Sequence, residues 1–167
     1  MLFRSPFPPA HIDYLIKLRD EGEQPKVIYD IGACVLHWTD RVRKIWPEAE
    51  VIAFEAADVH EFLYQEAGVK YFIGVLSDQS GKEVDFYQNN EAPGGNSYYR
   101  ENPEIQPAAA TLYSDQYIRK LKTITLDAVV SLNQYPPPDL IKMDVQGQRW
   151  MYLKALRKLL KQPNTLY

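Results

Sequence analysis

Two apolar segments, joined by an amphipathic one, constrain the fold of this chain more than any other feature of the sequence. The first has β-branched and aromatic side chains and predicts a strand over residues 26–31 that ends at Gly32. The second predicts a shorter strand, residues 51–54, which Glu55 follows directly. Strand, glycine turn, helix, strand and terminal acid is the order in which a Rossmann-like unit holds an adenosine. The order predicts a nucleoside-containing cofactor.

Three residues of this unit suit a cofactor by their chemistry. Gly32 lets the backbone come close to a ligand, because it has no Cβ atom. Glu55 has a carboxylate that can accept hydrogen bonds from both hydroxyls of a ribose. Asp30 can lie beside the cofactor, or it can hydrogen-bond the backbone amides of a tight turn. The sequence leaves both interpretations of Asp30 open.

Strands and helices alternate along the chain, which predicts an α/β fold with a parallel sheet and helices on both faces. The sequence stops where another strand has only begun, so we expect the C-terminal strands of this sheet to be truncated. Further strands are predicted at residues 71–76, 83–87, 121–126, 139–143 and from 165 onward. Helices are predicted at residues 11–19, 35–46, 58–68 and 148–161, with Asp58 and Glu61 at capping-box spacing.

The chain has 167 residues, which fits a single domain. Residues 1–9 are rich in proline and predict an extended arm. Residues 88–122 predict a long loop excursion, because they combine a Pro-Gly-Gly-Asn turn with further prolines and many tyrosines. Long loops in compact domains are usually functional or disordered, so we expect this one to lie over the site.

Composition argues against several classes of function. A net charge of −3 and a pI of about 5.6 argue against a broad nucleic-acid-binding face. No apolar run approaches the roughly 20 residues that span a bilayer. No signal peptide is visible either, so we expect a cytoplasmic protein without a membrane partner. The single cysteine and three histidines lack metal-ligand spacing and predict neither a disulfide nor a metal site. The oligomeric state stays open.

A second group of chemistry-bearing residues follows the strand predicted near the end of the chain. This strand brings Lys142 and Asp144 to its carboxyl end, where ligands bind in open α/β sheets. We therefore expect Asp30, Glu55 and Asp144 to meet along one edge of the sheet. The alternative is that Asp144 caps the helix that follows and Gln146 is exposed to water.

Residues 94–99, Gly-Gly-Asn-Ser-Tyr-Tyr, are a candidate for binding the substrate. The glycines allow unusual backbone angles, and Asn96 and Ser97 offer hydrogen bonds. Tyr98 and its neighbour could stack on a sugar or an aromatic acceptor. An exposed turn held down by its aromatic side chains is an equally good interpretation.

Cys34 and His37 lie in or beside the first turn and could form a catalytic pair. Such a pair usually has a third group that orients the base, and none is evident in the sequence. A histidine at this position more often begins a helix than acts as a base.

Five blocks of the sequence, in their order and spacing, resemble the FkbM-type S-adenosylmethionine-dependent methyltransferases. The blocks read VIYDIGA, VIAFE, GVLSDQSGKEVDFY, TITLDAVV and DLIKMDVQG, and the resemblance runs from about Val27 to the end of the chain. It implies the class I methyltransferase fold and S-adenosylmethionine as the cofactor. It also implies methylation of a hydroxyl group on a small-molecule or glycan acceptor.

The resemblance implies roles for individual residues. Asp144 becomes the candidate general base, Lys142 the residue that orients it or the acceptor, and His37 a second candidate base. The implied cofactor-binding residues are Asp30, Gly32, Ala33 and Cys34 at the first turn, Glu55 and Ala56 at the ribose, and Leu76 and Ser77 near the adenine. The candidate substrate-binding residues are Asn96, Ser97, Tyr98 and Gln146.

The chain departs from the family pattern in two blocks. Cys34 and Leu36 stand where the first turn of the family usually has Asn and a last Gly. We therefore expect the Leu36 side chain to add bulk where the backbone normally approaches the cofactor. Gln146 and Arg149 stand where the last block of the family often has two acids. Gln146 cannot act as a general base, which leaves that role to the two candidates above.

Two functions other than O-methyl transfer stay open. A non-catalytic interaction domain could keep the fold without the chemistry, and Cys34, Leu36 and Gln146 favour it. A nicotinamide-dependent oxidoreductase is less expected, because it needs Gly-x-Gly-x-x-Gly and this turn has only Gly32. The sequence as a whole favours an O-methyltransferase.

Overall fold

The structure is a computed structural model that describes residues 9–90, 93–100, 102, 104 and 109–145. The helices in these ranges are α1 (Pro9–Asp20), α2 (His37–Ile45), α3 (Glu61–Glu66), α4 (Ala109–Leu112) and α5 (Leu126–Asn133). The strands are β1 (Val27–Ile31), β2 (Glu50–Glu55), β3 (Lys70–Ile73), β4 (Val75–Leu76), β5 (Glu83–Tyr87), β6 (Ile118–Ile124) and β7 (Leu140–Met143). Short 3-10 turns lie at Asp58–His60, Pro93–Gly95 and Asp115–Tyr117.

Four parallel strands form the central sheet, in the order β3-β2-β1-β7. Strand β1 pairs on both sides, so that Ile31 lies beside Phe54 of β2 and Met143 of β7. Because the pairings are parallel, the carboxyl ends of these strands meet at one edge of the sheet. The predicted parallel α/β architecture is confirmed.

Helices pack on both faces of the central sheet. Strand alternation sends Ile28 and Tyr29 of β1 to opposite faces. On one face, Leu15 of α1 and Val42 of α2 pack around Ile28. On the other face, Leu126 of α5 packs in the cluster that contains Tyr29. The two faces of β1 are therefore both buried, as its apolar sequence predicts.

The prediction of one strand over residues 71–76 is wrong, because this segment divides into β3 and β4. Gly74 lies at the division, and its N–H donates to the carbonyl of Glu55 at 2.8 Å. Strand β4 then leaves the central sheet and pairs in parallel with β6, which pairs antiparallel with β5. A continuous apolar run does not reveal which sheet each residue joins, so the pattern could not place the division.

The prediction of a strand at residues 121–126 is displaced from the observed element. Strand β6 begins at Ile118 and takes in the end of the predicted 88–122 excursion. Thr125 then caps α5, and its hydroxyl accepts a backbone N–H of the first turn at 3.3 Å. Helix α5, which was not predicted, begins at Leu126. Because strand β6 and helix α5 are both apolar, hydrophobicity alone does not show where the strand ends and the helix begins.

Asp58 and Glu61 do not form the predicted capping box. Asp58 instead accepts hydrogen bonds from Arg119 at 2.6 Å and Gln88 at 3.1 Å. These bonds, chiefly the one from Arg119, hold the pKa of the Asp58 carboxyl below its usual range. Glu61 accepts a hydrogen bond from the Tyr71 hydroxyl at 2.8 Å. Asp58 thus connects the segment after β2 to the small sheet of β4, β5 and β6.

Several predicted features lie outside the described residues. They are the arm, apart from Pro9, parts of the 88–122 excursion, Gln146, Gly147, the helix at 148–161 and the strand from 165 onward. Within the ranges that the structure covers, no helix has the length and apolar character needed to cross a membrane.

Candidate functional site

A cavity of about 280 Å³ opens at the carboxyl edge of the central sheet. Its walls come from the turns after β1 and β2, from the small sheet with the turn after β5, and from the residues after β7. Of the predicted cofactor-binding residues, the wall contains Gly32, Ala33, Cys34, Glu55, Ala56 and Leu76. Of the predicted catalytic and substrate-binding residues, it contains His37, Asn96, Ser97, Tyr98 and Asp144.

Gly32 has a backbone conformation at the end of β1 that glycine adopts without strain. Its φ is 76°, and a Cβ atom added to it would lie 2.1 Å from the carbonyl oxygen of Asp144. Its N–H donates to the carbonyl of Phe54 at 2.9 Å. Glycine therefore lets the ends of β1 and β7 approach each other, whether or not a ligand is bound.

Cys34 and Leu36 also have left-handed backbone angles, with φ values of 48° and 63°. Such angles cost a residue other than glycine about 1–3 kcal/mol. The Leu36 side chain is buried in a core cluster with Ala53 and Tyr64. Leu36 is not in the cavity wall, so the expectation that it adds bulk beside the cofactor is wrong. Its side chain packs into the core next to α3 instead.

Glu55 ends β2 with its carboxylate beside the cavity, where it accepts three backbone hydrogen bonds. Oε1 accepts from Ala56 at 2.8 Å and from Ala57 at 3.0 Å, and Oε2 accepts from Cys34 at 2.8 Å. A carboxylate has about four lone-pair sites. One site, on Oε2, is left for a ligand hydroxyl, and a second hydroxyl would have to displace an amide.

Asp30 and Lys142 form a buried ion pair beneath the cavity. Lys142 Nζ donates to Asp30 Oδ1 at 2.9 Å and to the carbonyl of Gly32 at 2.8 Å. The second oxygen of Asp30 accepts from the Thr39 hydroxyl at 2.7 Å. Neither charged side chain is in the cavity wall. Asp30 therefore bonds side chains rather than the backbone amides of the turn, and the contact of Lys142 with the Gly32 carbonyl ties this pair to the turn after β1.

Asp144 stands at the rim of the cavity on the β7 side. Its backbone N–H donates to the carbonyl of Ile31 at 2.9 Å, and its side chain is 54% exposed. Its Oδ2 lies 4.0 Å from Lys142 Nζ. Glu55 and Asp144 therefore meet at one edge of the sheet as expected, with Asp30 below them. The helix that Asp144 was alternatively expected to cap lies outside the described residues.

The turn after β5 contributes Gly94, Asn96, Ser97 and Tyr98 to the cavity wall. Ser97 and Tyr87 exchange backbone hydrogen bonds of 2.8 and 3.2 Å, which close the turn. Inside it, Asn96 Oδ1 accepts the backbone N–H of Asn89 at 2.7 Å. These bonds hold part of the predicted excursion against the cavity.

Ser77, predicted near the adenine, lies behind this wall rather than in it. It is 2% exposed, and its hydroxyl accepts a hydrogen bond from the Tyr98 hydroxyl at 3.3 Å. Tyr98 thus stands between Ser77 and the cavity. Within the described residues, no group of three or more His, Cys, Asp or Glu side chains could hold a metal ion.

Several apolar residues of the wall were not predicted from the sequence, and Val75 and Phe86 are two of them. They cluster with Ala57, and Ala56 and Tyr98 pack against this cluster. The alternation of polar and apolar residues in Glu83–Tyr87 was a sequence signal that Phe86 faces inward, and the structure buries Phe86 between partly exposed neighbours. Val75 had no comparable signal, because its position depends on the division at the preceding glycine.

The Cys34 thiol is poorly suited to catalysis. Burial and the neighbouring Glu55 carboxylate raise the pKa of Cys34 to about 11. The thiol therefore stays protonated at neutral pH, and the thiolate is the nucleophilic form. His37 begins α2 and borders the cavity, but no hydrogen bond joins it to Cys34 in the part of the chain that the structure covers.

The family model for the methyltransferase FkbM domain matches residues 30–167, which is more than half of the chain. The chain belongs to the FkbM methyltransferase family. The matched part begins at Asp30 and so includes the turn after β1, Glu55 and Asp144. With the parallel sheet and its two helical faces, the match confirms the predicted class I, Rossmann-like methyltransferase fold.

A solved structure from Nostoc punctiforme PCC 73102, described as a "putative O-methyltransferase", is similar to part of this FkbM-family chain. The identity is 21% and the TM-score is 0.31, over 39% of this chain and 22% of that one. This chain thus matches about a fifth of the other's length. A likeness at this level gives no information on function. No curated protein matches the sequence.

Proposed function

We propose that this FkbM-family chain transfers a methyl group from S-adenosylmethionine to a hydroxyl of a small-molecule or glycan acceptor. The observation that carries the proposal is the position of the Glu55 carboxylate in the wall of the cavity. Ala57, two residues after Glu55, packs with Val75 and Phe86 of the small sheet, and β1 separates β2 from β7, which Asp144 follows. A ribose bound at Glu55 has room for a base toward the small sheet and for the reacting group toward Asp144.

The donor set around the cavity fits this cofactor. Ala56, Val75 and Phe86 form an apolar end suited to a flat base. Glu55 keeps one lone-pair site for a ribose hydroxyl. Asp144 places a negative charge at the opposite end. When bound, S-adenosylmethionine supplies a methyl group on a positively charged sulfur, which a carboxylate at that end stabilises.

Charge at the rim disfavours a nicotinamide dinucleotide. Glu55 and Asp144 both carry negative charge at the cavity, while Lys142 is buried behind them and paired with Asp30. The pyrophosphate of a dinucleotide binds at the turn after β1, where it would lie beside the Asp144 carboxylate, which has like charge. The turn after β1 also has Gly32 as its single glycine, whereas the dinucleotide motif needs three.

Asp144 is the group best placed to receive the proton of the acceptor hydroxyl. Its carboxylate is half exposed at the rim, and it makes no hydrogen bond within the described ranges. A positioned base contributes 10²–10⁴-fold to the rate, and alignment of the acceptor oxygen contributes the larger part. His37 lies in the same wall and is the second candidate for this role.

Two tyrosines beside the cavity support an acceptor with a sugar ring. The rings of Tyr98 and Tyr99 have centroids 4.8 Å apart, and Tyr99 is 42% exposed. An exposed aromatic ring offers an apolar surface with a polar edge, which suits the non-polar face of a sugar. Tyr98 packs at the base end of the cavity, so an acceptor held by this pair would extend across the mouth of the cavity to bring one hydroxyl to Asp144.

A non-catalytic interaction domain is the second candidate, and one observation favours it. The Glu55 carboxylate accepts three backbone hydrogen bonds, so it stabilises the turns after β1 and β2 without any ligand. In that case the acid is structural and the cavity takes no nucleoside.

Isothermal titration calorimetry with the whole chain separates these candidates. We expect S-adenosylmethionine and S-adenosylhomocysteine to bind and NAD not to bind. Binding of NAD alone would indicate an oxidoreductase, and binding of none of the three would favour the non-catalytic domain. Transfer of a radiolabelled methyl group to a sugar oxygen tests the acceptor class, and its recovery on nitrogen instead would contradict O-methyl transfer.

A further inference from the structure

One amide group beside the cavity lacks a hydrogen-bond partner. Asn96 is part of the cavity wall, and its Nδ2 is shielded from water. Across the described ranges, no atom accepts a hydrogen bond from this nitrogen. A buried donor left unpaired costs about 1–3 kcal/mol. Such groups are rare in native proteins, and a role in a functional site is one of the reasons for them.

The surroundings of Asn96 determine which atom of the amide is unpaired. Oδ1 accepts the backbone N–H of Asn89 at 2.7 Å. If the amide were turned over, the NH₂ group would face that N–H and two donors would oppose each other. The nitrogen must therefore be the unpaired atom, and the turn that carries it is closed by the backbone bonds between Ser97 and Tyr87.

The unpaired donor is on a turn that follows strand β5 of the small sheet, whereas Asp144 follows β7, an outer strand of the central sheet. Asn96 follows β5, and Phe86 of β5 is a neighbouring part of the wall. Phe86 packs with Ala57, two residues after Glu55 at the end of β2, and β1 separates β2 from β7. A nucleoside whose ribose lies at Glu55 therefore extends its base toward Phe86 and Asn96.

We infer that Asn96 recognises the base of the cofactor by donating an Nδ2–H hydrogen bond to a ring nitrogen of adenine. The inference rests on the proposed function, because it needs a nucleoside in the cavity. Adenine suits the donor, since its N3 and N7 atoms are acceptors. Because Asn96 borders the cavity, a small shift of its turn brings Nδ2 to the ligand, and the bond removes the cost of the unpaired donor.

The variant Asn96→Asp isolates this bond. It keeps the size of the side chain and the Oδ1 acceptor for Asn89, and it replaces the Nδ2 donor with an oxygen. Calorimetry with S-adenosylhomocysteine and with methylthioadenosine, which lacks the amino-acid part, measures the effect. We expect both affinities to fall by about tenfold or more. Asn90→Asp is the control, because it adds the same charge to the same turn at an exposed residue outside the wall.

Unchanged or tighter binding of both probes by Asn96→Asp would overturn the inference. A loss with S-adenosylhomocysteine but not with methylthioadenosine would also overturn it, since Asn96 would then face the amino-acid part. If Asn96→Asp does not fold, Asn96→Ala is judged by the same criteria. A wild-type chain that binds neither probe overturns the proposed function together with the inference. Binding by the wild type with no effect of Asn96→Asp overturns the inference alone.

Discussion

The Glu55 carboxylate stabilises two turns through backbone hydrogen bonds and is also the proposed ligand of the ribose. Replacing it with alanine leaves the N–H groups of Cys34, Ala56 and Ala57 without their acceptor, and it removes the proposed ribose contact. We expect Glu55→Ala to weaken binding of S-adenosylhomocysteine by about 1.5–3 kcal/mol, the range for a hydrogen bond to a charged group. Calorimetry measures the affinity, and urea unfolding measures the accompanying loss of stability.

The control for Glu55 is at the other end of the same strand. Glu50 begins β2, and its partly exposed side chain pairs with Lys70 at the surface. Glu50→Ala should leave the affinity unchanged. If Glu55→Ala also leaves it unchanged, Glu55 does not bind the ribose.

Asp144→Asn should lower the turnover rate by about 10²–10⁴-fold, the usual contribution of a positioned base. Affinity for S-adenosylhomocysteine, which lacks the positive charge on sulfur, should stay nearly the same, because the carboxylate acts on the proton of the acceptor and on the sulfonium charge. Initial rates and calorimetry measure the two effects separately. His37→Gln tests the second candidate in the same assay. An Asp144→Asn variant that keeps most of its activity would reject Asp144 as the base without rejecting the methyltransferase.

The buried ion pair of Lys142 and Asp30 stabilises the folded protein beneath the cavity. These side chains are 7% and 0% exposed, so Lys142→Met leaves an uncompensated charge on Asp30 in the core. Removing one partner of a buried pair costs about 3–5 kcal/mol, and urea unfolding should show a loss of this size. The double variant with Asp30→Asn should recover part of the loss. Lys17→Met, in a surface pair with Glu21, should change stability little.

At the scale of elements, helix α5 ends at a residue that is not suited to its backbone angles. Gln134 has a φ of 54°, and its N–H donates to the carbonyl of Ser131. Left-handed angles cost a residue other than glycine about 1–2 kcal/mol, and glycine removes this strain. Glycine also raises the conformational entropy of the unfolded chain, which cancels part of the stabilisation. Gln134→Gly should therefore stabilise the protein by about 0.5–1 kcal/mol in urea unfolding.

Ser131→Gly, within the same helix, is the matched control. Its side chain is exposed and its position is helical, so glycine there should destabilise the protein. Effects of the same sign at Ser131 and Gln134 would contradict the assigned end of α5.

The same elements differ in how well the sequence predicted them. Strands β1, β2, β5 and β7 lie within a residue or so of their predicted bounds, because their apolar runs end at turn residues or charges. The bounds of β4, β6 and the start of α5 were missed. There the apolar pattern continues across Gly74 and Thr125, where the chain changes sheet or changes from strand to helix.

At the scale of the whole molecule, cofactor binding should raise the temperature of unfolding. A ligand at 100 times its Kd stabilises the folded chain by about 2.7 kcal/mol. For a chain of this length, each kcal/mol corresponds to about 2–4 °C. We therefore expect S-adenosylhomocysteine to raise Tm by roughly 5–10 °C in differential scanning fluorimetry, and NAD at the same concentration to leave it unchanged. No shift with S-adenosylhomocysteine at any concentration would contradict the proposed cofactor.

The sequence by itself determined the central sheet and the edge at which the site forms. Parallel strands with buried faces need continuous apolar runs, and residues that follow such runs meet at one edge; this is why Glu55 and Asp144 could be placed together in advance. Only the tertiary structure determined the environment of Lys142 and Asp30 and the position of the turn that carries Asn96. The Lys142 side chain is buried and pairs with Asp30 instead of entering the cavity, because a buried cation needs a counter-charge. Residues 94–99 were a candidate from the sequence, but their position at the cavity depends on the pairing of β5 with β6, which joins segments that are distant in sequence.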